Sequence, residues 1–567
     1  MILLSISDNH DSGAALIIDK EIIAAVNEER LTRKKLIGGF PYRSVEEVLR
    51  IAKVLPSDID VVVVASTMTP CFLLRSLETF HNTVRNQSSS FSYLLNLYII
   101  YQVFAHKAVL PQAAEEFFSK KVLRKKISAW GIKAPIVMVD HHCAHAAAAY
   151  YTQGDSRKTL IITADSMGDA LSVTVSIGEG NRIQRIFSQT GFSSMSTYYS
   201  RLTEFLGFKP LRHEGKITGL AGYGKHNKDI VALAKKNLCF VEHNSAFNRK
   251  NHFLPERSDN RIYAALRRYS KEDVAYNFQN NFENEIVAFV DFWVKKTRVG
   301  NVVLSGGAFA NVSVNKRICE IPDITKLYIF PHMGDGGLSV GASLFFLKPE
   351  PSRLKNIYLG SDYTNESIGA MAKKSGLRHV FLQEEDLCKK IAQLLFEGKT
   401  IAHFNGRMEY GPRALGNRSI LYRADDPSCS EWLNRKLKRE YFMPFAPISL
   451  AEETPKLYND IDKINYTLRF MNIAVSCTDE MKTRCAGAVH VDQTARPQII
   501  YEDDNHRLRT ILEFYRSLKG ISVIINTSFN RHEEPIVCSP EDALRSFVEC
   551  ELDYLVLNNF LLCKENI

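Results

Sequence analysis

TLIITADSMGDALSVTVSI, Thr159 to Ile177, decides the fold class. TLIITAD (Thr159 to Asp165) is short, apolar and β-branched, so it reads as a strand that ends on an aspartate. SMGD turns the chain, and ALSVTVSI (Ala170 to Ile177) reads as the returning strand. NRIQRIFSQT, from Asn181, supplies a third. The first thirty residues repeat the order: ILLSIS, the loop DNHDSG, then AALIID and EIIAAVNEE. A strand–Asp loop–strand–strand unit occurring twice predicts a duplicated α/β architecture.

Two more junctions run from an apolar strand through glycines into a helix: VVLSGGAFANVSVNKRI (Val302 to Ile318) and LYIFPHMGDGGLSVGASLFFL (Leu327 to Leu347). Glycine allows close backbone approach, and a helix N-terminus offers free N–H groups to an anion. The two Asp-loop units resemble the paired phosphate loops of the actin-like, sugar-kinase-like fold, which implies an ATP cleft without naming a reaction. The prolines of KPEPSRLKN (Lys348 to Asn356) mark a boundary after an apolar helix. Beyond it a domain-sized remainder holds the strand TIAHFNGR, an arginine-rich turn, and the late strand SVIINTSFN. The expected domains are therefore 1–350 and 351–567.

At 567 residues the chain is too long for one core. Its 45% hydrophobic and 24% charged residues are ordinary for a globular protein, and a formal charge of +9 does not by itself predict nucleic-acid binding. Eleven cysteines without a C-x-x-C pair read as reduced thiols in the cytoplasm. MILLSISDNHDSG lacks the basic start and long apolar core of a signal peptide. FSYLLNLYIIYQVFAHKAVL (Phe91 to Leu110) is interrupted by Asn96, Gln102, His106 and Lys107, so it reads as a buried or amphipathic helix and not a membrane span.

VDHHCAHAAAAYY, Val139 to Tyr151, leaves a strand and enters an alanine-rich helix. His141 and His145 stand four apart and share a face, the spacing of two imidazole ligands on one metal. His142 points elsewhere and is expected to cap the helix or hydrogen-bond locally. The alternative is a helix whose histidines only satisfy buried partners and whose alanines only permit close packing; these residues leave the two open. Asp165 and Asp335 are the carboxylates that would complete a divalent first-row shell.

The motifs together resemble the ATP-dependent O-carbamoyltransferases of the nodulation, cephamycin and tobramycin type. The resemblance runs through DNHDSGAAL, NEERLTRKK, DHHCAHAAAAY, HEGKITGLAGYG, LSGGAFANVSVN, PHMGDGGLSVGAS, GRMEYGPRALGNRSIL, KREYFMPFAPISL, DQTARPQ and NTSFNRHEEPIVCSPEDAL. It implies an N-terminal actin-like (ASKHA, TsaD-like) domain of two RNase H-like halves and a C-terminal YrdC-like α/β domain. It also implies that carbamoyl phosphate and ATP give carbamoyl adenylate in the C-terminal domain. The carbamoyl group then passes to an acceptor hydroxyl in the N-terminal cleft.

By the same resemblance His10 is the base, and the metal held by His141, His145, Asp165 and Asp335 is Fe(II). Lys35, Lys216, Gly306, Gly307 and Asn311 fall at nucleotide-binding positions. Joining two phosphate-bearing anions needs fixed positive charge, which Arg407, Arg413 and Arg418 supply, with Lys438 and Arg439 beside them. Asn526, Thr527, Ser528 and Asn530 offer small polar groups to carbamoyl phosphate. Structural ion pairs with Glu409 or Glu440 would account for one or two of the arginines.

Ser166, Gln493 and Glu533 replace glycines of the family pattern, and Met443 replaces an arginine. The region from about Met68 to Lys126 matches no motif and is a candidate for acceptor selection. The expected partners are carbamoyl phosphate, ATP and a sugar or secondary-metabolite hydroxyl, as in natural-product biosynthesis, and no nucleic acid. The acceptor itself and any oligomeric state are not written in the sequence. Two other readings predict different behaviour. A threonylcarbamoyl-type transferase would bind tRNA, and a non-catalytic actin-like ATP-binding regulator would be indifferent to loss of Arg413 or Arg418.

Overall fold

The computed structural model describes residues 1–77, 100–106, 109–248 and 261–564. Most of the Phe91–Leu110 segment, and part of the Met68–Lys126 region, lie outside the described residues. Among the described residues no helix is long and apolar enough to cross a membrane. The chain is α/β and divides into two compact units. One comprises Met1–Glu29 and Leu36–Lys355; the other comprises Arg30–Lys35 and Asn356–Ile567.

The first unit contains two five-stranded sheets of one plan. Strands β1 (Ile2–Ser7), β2 (Gly13–Ile18), β3 (Glu21–Asn27), β4 (Val61–Ala65) and β5 (Ile136–Val139) lie in the order β3-β2-β1-β4-β5. Strands β6 (Thr159–Gly168), β7 (Leu171–Glu179) and β8 (Arg182–Thr190) precede a small hairpin, β9 (Cys239–Val241) and β10 (Ala246–Asn248). Two more, β11 (Asn301–Ser305) and β12 (Lys326–Ile329), complete the order β12-β11-β6-β7-β8. In each sheet three antiparallel strands are followed by two parallel ones. Parallel pairs need crossover connections, so the apolar strands of both sheets carry helices.

The second Asp loop is not the simple turn expected from SMGD. Strand β6 runs on to Gly168, with its register against β7 broken between Ala164 and Gly168. The hairpin turns instead at Asp169 and Ala170, both at positive φ (47° and 72°). That geometry suits a tight two-residue hairpin. Asp165 thus stands on a bulged strand, where extra residues re-aim a side chain.

Helices His141–Thr152 and Leu338–Leu347 pack on each other. The first also lies on β6 and β11, the second on β1 and β4. A Cβ on Gly341 would meet the Ala144 carbonyl oxygen at 2.0 Å and the Ala148 methyl at 3.1 Å. The alanines are therefore what lets two helix backbones approach. This close contact brings the N-terminal ends of both helices to one place.

The second unit is built on an eight-stranded mixed sheet. Its strands are β13 (Arg378–Phe381), β14 (Ile401–Phe404), β15 (Arg418–Arg423), β16 (Ala446–Leu450), β19 (Gln498–Ile500), β20 (Ile524–Ser528), β21 (Tyr554–Leu557) and β22 (Phe560–Cys563). They run in the order β13-β22-β21-β14-β15-β20-β16-β19, and β17 (Val475–Ser476) pairs with β18 (Thr494–Ala495) separately. Helices Glu384–Phe396 and His506–Lys519 cover it with Leu387, Ile391, Leu395, Leu508, Ile511 and Leu512, which pack on Ile401, Leu421, Ile448 and Ile524.

Candidate metal centre and arginine cluster

Asp140 follows β5 and caps the histidine helix, accepting from the Cys143 amide at 2.8 Å and pairing with Arg185. One turn of helix then separates His141 from His145. His141 Nε2 lies 3.4 Å from Asp165 Oδ2 and 3.6 Å from Asp335 Oδ1; for His145 Nε2 the distances are 3.4 and 3.5 Å. All four side chains are buried, and their ligand atoms lie within 4.8 Å of one another. A tetrahedral shell with bonds of about 2.1 Å has edges of about 3.4 Å. The four groups fit that spacing.

The orientation of the rings fits as well. His145 Nδ1 lies 3.2 Å from Ser305 Oγ, which itself donates to the Met333 carbonyl at 3.3 Å. The Ser305 hydroxyl is thus left as acceptor for His145 Nδ1–H, so Nε2 carries the lone pair. His141 Nδ1 lies 2.9 Å from Ser66 Oγ and 3.3 Å from Asn9 Nδ2. His145 Nε2 and Asp335 Oδ1 are buried and have no hydrogen-bond partner among the described residues. Outer partners on Nδ1 with Nε2 turned inward are the arrangement of metal-ligating histidines. Gly168 leaves the room for it: a Cβ there would fall 2.1 Å from the His141 ring.

Electrostatics agree. Burial and Asp335 would push the Asp165 carboxyl up, but the neighbouring imidazoles of His141 and His145 hold it below the usual carboxylate range. Asp335 is buried too, yet His10 and His141 keep it well below that range. Burial would lower His141, but Asp335 and Asp165 raise it to about 9. Two ionised carboxylates in a buried site call for a cation between them.

His10 stands at the edge of this centre, partly exposed, with Nδ1 2.9 Å from Asp335 Oδ2. Asp335 therefore reaches the centre through one oxygen and His10 through the other. Gly306, at φ 105°, packs on β6 so closely that a Cβ would meet the Ala164 oxygen at 2.2 Å; a Cβ on Gly307 would lie 3.1 Å from Asp165 Oδ1. Both glycines thus border the centre. Asn311 caps helix Val312–Cys319 through the Val314 amide (3.2 Å) and exchanges hydrogen bonds with Gln279. Lys216 is buried with its ammonium 5.3 Å from the Phe208 ring centroid. Lys35 belongs to the second unit.

His142 departs from the expectation of a cap or local partner. Its Nδ1 lies 2.7 Å from Thr163 Oγ1 and its Nε2 3.0 Å from the Leu171 carbonyl, both on the neighbouring sheet. Burial, then His141 and His145, lower it to about 3, so it stays neutral.

In the second unit the expected arginines separate into two kinds. Arg418 is fully buried, stacked 3.6 Å from the Phe404 ring centroid. It donates to the carbonyls of Asn405 (2.8 Å), Asn417 (3.0 Å), Ser361 (3.1 Å) and Gly406 (3.0 Å). Both of its Nη nitrogens are thus committed to backbone carbonyls. Arg407 likewise donates to the Gly360 and Leu359 carbonyls. Glu409 pairs with the backbone, accepting through one oxygen from the amides of Leu415 (2.8 Å), Asn417 (2.8 Å) and Arg418 (3.1 Å).

Arg413 and Arg439 gather with a residue that the sequence reading left out, Arg496 of DQTARPQ. Burial and then Arg496 hold Arg413 well below the usual guanidinium range and bring Arg439 to about 10; burial alone brings Arg496 to about 10. Each retains solvent-accessible surface. Arg439 Nη1 donates to Thr527 Oγ1 at 2.7 Å, and Asn526 Nδ2 to the Ala414 carbonyl at 3.0 Å. Asn526 Oδ1 is buried without a hydrogen-bond partner among the described residues. Ser528 ends β20, Asn530 donates to the carbonyls of Arg531 and Glu534, and Lys438 is exposed. Like charges gathered in one place attract an anion.

Comparison with known proteins follows the same division. Residues 3–344 match the family model described as carbamoyltransferase N-terminus, and residues 392–564 the model described as carbamoyltransferase C-terminus. Uncharacterized protein MJ1051 of Methanocaldococcus jannaschii is 30% identical over 99% of both chains. Nodulation protein NolNO of Sinorhizobium fredii is 27% identical, covering 98% of this chain and 79% of its own. Full-length HypF, solved in a phosphate- and nucleotide-bound form, aligns at 15% identity over 61% of this chain and 55% of its own, with a TM-score of 0.32.

Proposed function

Because this chain belongs to the carbamoyltransferase family, we propose that it is an O-carbamoyltransferase working through carbamoyl adenylate. In this reading residues 351–567, a YrdC-like domain, join carbamoyl phosphate and ATP. Residues 1–350, an actin-like domain of two RNase H-like halves, move the carbamoyl group to a hydroxyl of a sugar or other small molecule. The shared strand order of the two five-stranded sheets supports the second assignment.

The observation that carries the reading is the cluster of Arg413, Arg439 and Arg496. Carbamoyl phosphate and ATP repel each other, and fixed guanidinium groups offset that repulsion while holding phosphate oxygens two at a time. Linking carbamate oxygen to the α-phosphorus expels pyrophosphate. Atom balance also requires one water and releases the phosphate of carbamoyl phosphate.

For the transfer step, Asp335 holds His10 through Nδ1, which leaves Nε2 as the basic nitrogen for the acceptor proton. As the acceptor oxygen bonds to the carbamoyl carbon, AMP departs. Gly307, without a side chain beside Asp165, leaves room for a phosphate to approach, and Gly306 lets the loop pack on β6. A divalent metal held by His141, His145, Asp165 and Asp335, Fe(II) by family resemblance, would supply Lewis-acid charge to the leaving phosphate. The cytoplasm, where carbamoyl phosphate and ATP are available, suits this chemistry.

Variants separate the two steps. Arg413→Ala or Arg496→Ala should stop pyrophosphate release that depends on carbamoyl phosphate. His10→Ala should leave that release intact and let the adenylate accumulate. Both variants stopping at the same step would refute the two-step scheme.

A further inference from the structure

Arg30 and Arg33 come from NEERLTRKK near the start of the chain, yet their segment, Arg30–Lys35, belongs to the second unit. Arg30 is buried, and its Nη2 donates to the Gly411 carbonyl at 2.6 Å. Gly411, at φ 139°, lies two residues before Arg413. Arg33 clamps the segment in place, donating to the carbonyls of Ile536 (2.7 Å) and Pro535 (2.6 Å) and lying 3.4 Å from Asp542.

The tethers on either side of Arg413 show what Arg30 does. After Arg413, Asn526 holds the Ala414 carbonyl and Glu409 holds the Leu415 amide. Before it, the Tyr410 amide is fixed on the Ile357 carbonyl (2.8 Å), and Arg30 holds the carbonyl of the following residue, Gly411. A glycine at positive φ has little conformational preference of its own. The charge-assisted bond from Arg30 thus helps to fix the peptide two residues before Arg413.

We propose that Arg30 is a positioning residue for anion binding by the second unit, acting through the Gly411 peptide on Arg413, with Arg33 anchoring the segment that carries it. This deepens the reading above, since it rests on Arg413 contacting the phosphate of the substrate.

The test uses the full chain with inorganic phosphate as calorimetric probe, alongside pyrophosphate release dependent on carbamoyl phosphate. Arg30→Ala should weaken phosphate binding and raise KM for carbamoyl phosphate on the order of tenfold, since small displacements of a positioned group are costly. Arg33→Ala should shift both in the same direction by a smaller factor, and Arg30→Lys should recover part of the loss. Ile391→Val, in the core of the same unit, controls for general destabilisation and should move neither. Unchanged phosphate affinity in both Arg30→Ala and Arg33→Ala would overturn the proposal, as would an equal shift in Ile391→Val. If Arg30→Ala does not fold, Arg30→Lys and Arg33→Ala still decide. Phosphate binding that follows Arg30 in a chain releasing no pyrophosphate would sustain this inference and overturn the adenylate reading. No phosphate binding by the unaltered chain would overturn both.

Discussion

His142 stands between two proposed metal ligands in sequence and takes no part in their work. Its two ring nitrogens are committed to Thr163 and Leu171. His141→Ala or His145→Ala should therefore abolish metal retention. His142→Ala should keep the metal and cost about 1–3 kcal/mol through the polar partners it strands. Metal analysis and thermal unfolding of the three variants check this pair of outcomes. Ser305→Ala, which removes the outer partner of His145, should weaken metal binding about tenfold. The spacing of His141 and His145 was readable from helical periodicity alone. The fate of His142 was not, because its partners lie on strands that only tertiary packing brings near. Arginines show the same limit: Arg413 and Arg418 look alike in GRMEYGPRALGNR, but one lines a charged cluster and the other is buried on Phe404. Arg496 escaped notice because it converges on Arg413 through folding and not through spacing.

Backbone conformation explains where the family's glycines were dispensable. Gln493 and Glu533, at positions where the family resemblance implies glycine, adopt φ of 67° and 70°, a left-handed geometry that glycine favours. Gln493→Gly and Glu533→Gly should each stabilise the second unit by roughly 0.5–1 kcal/mol, the left-handed penalty of about 1–2 kcal/mol less the entropy cost of glycine. A fall in denaturation midpoint for both would contradict the assignment. Ser166, the third replacement, has no positive φ. Its site on the bulge of β6 had no need of glycine, a fact hidden in a sequence that read as a plain turn. The helix pair makes an opposite case. Gly341 faces the Ala144 carbonyl, so Gly341→Val should separate the helices, lower the melting temperature and loosen the metal centre together. Alanine richness announced close packing, and it accompanies metal ligands without competing with them.

Across the molecule, the first three strands of each sheet could be read directly, because apolar runs and Asp-bearing turns recur within short windows. The two parallel strands that complete each sheet are separated from them by long crossovers, and their order became visible only in three dimensions. The second unit adds a pH dependence of its own. His403 is fully buried; burial, then Arg507, lowers it from 6.5 to about 4. The unfolded chain therefore binds a proton first as the pH falls, and stability should be lost progressively between about pH 6.5 and 4. A His403→Gln variant should show a flatter profile in that window by chemical denaturation. Above pH 6.5 both states carry a neutral ring, and this contribution is constant.

Nucleotide products decide most directly whether the chain forms carbamoyl adenylate, the central claim made for the arginine cluster. The purified chain is incubated with ATP and carbamoyl phosphate without acceptor, and the products are resolved. Pyrophosphate together with carbamoyl adenylate, formed only when carbamoyl phosphate is present, is the predicted result. ADP as the sole nucleotide product, or ATP consumption indifferent to carbamoyl phosphate, would contradict it.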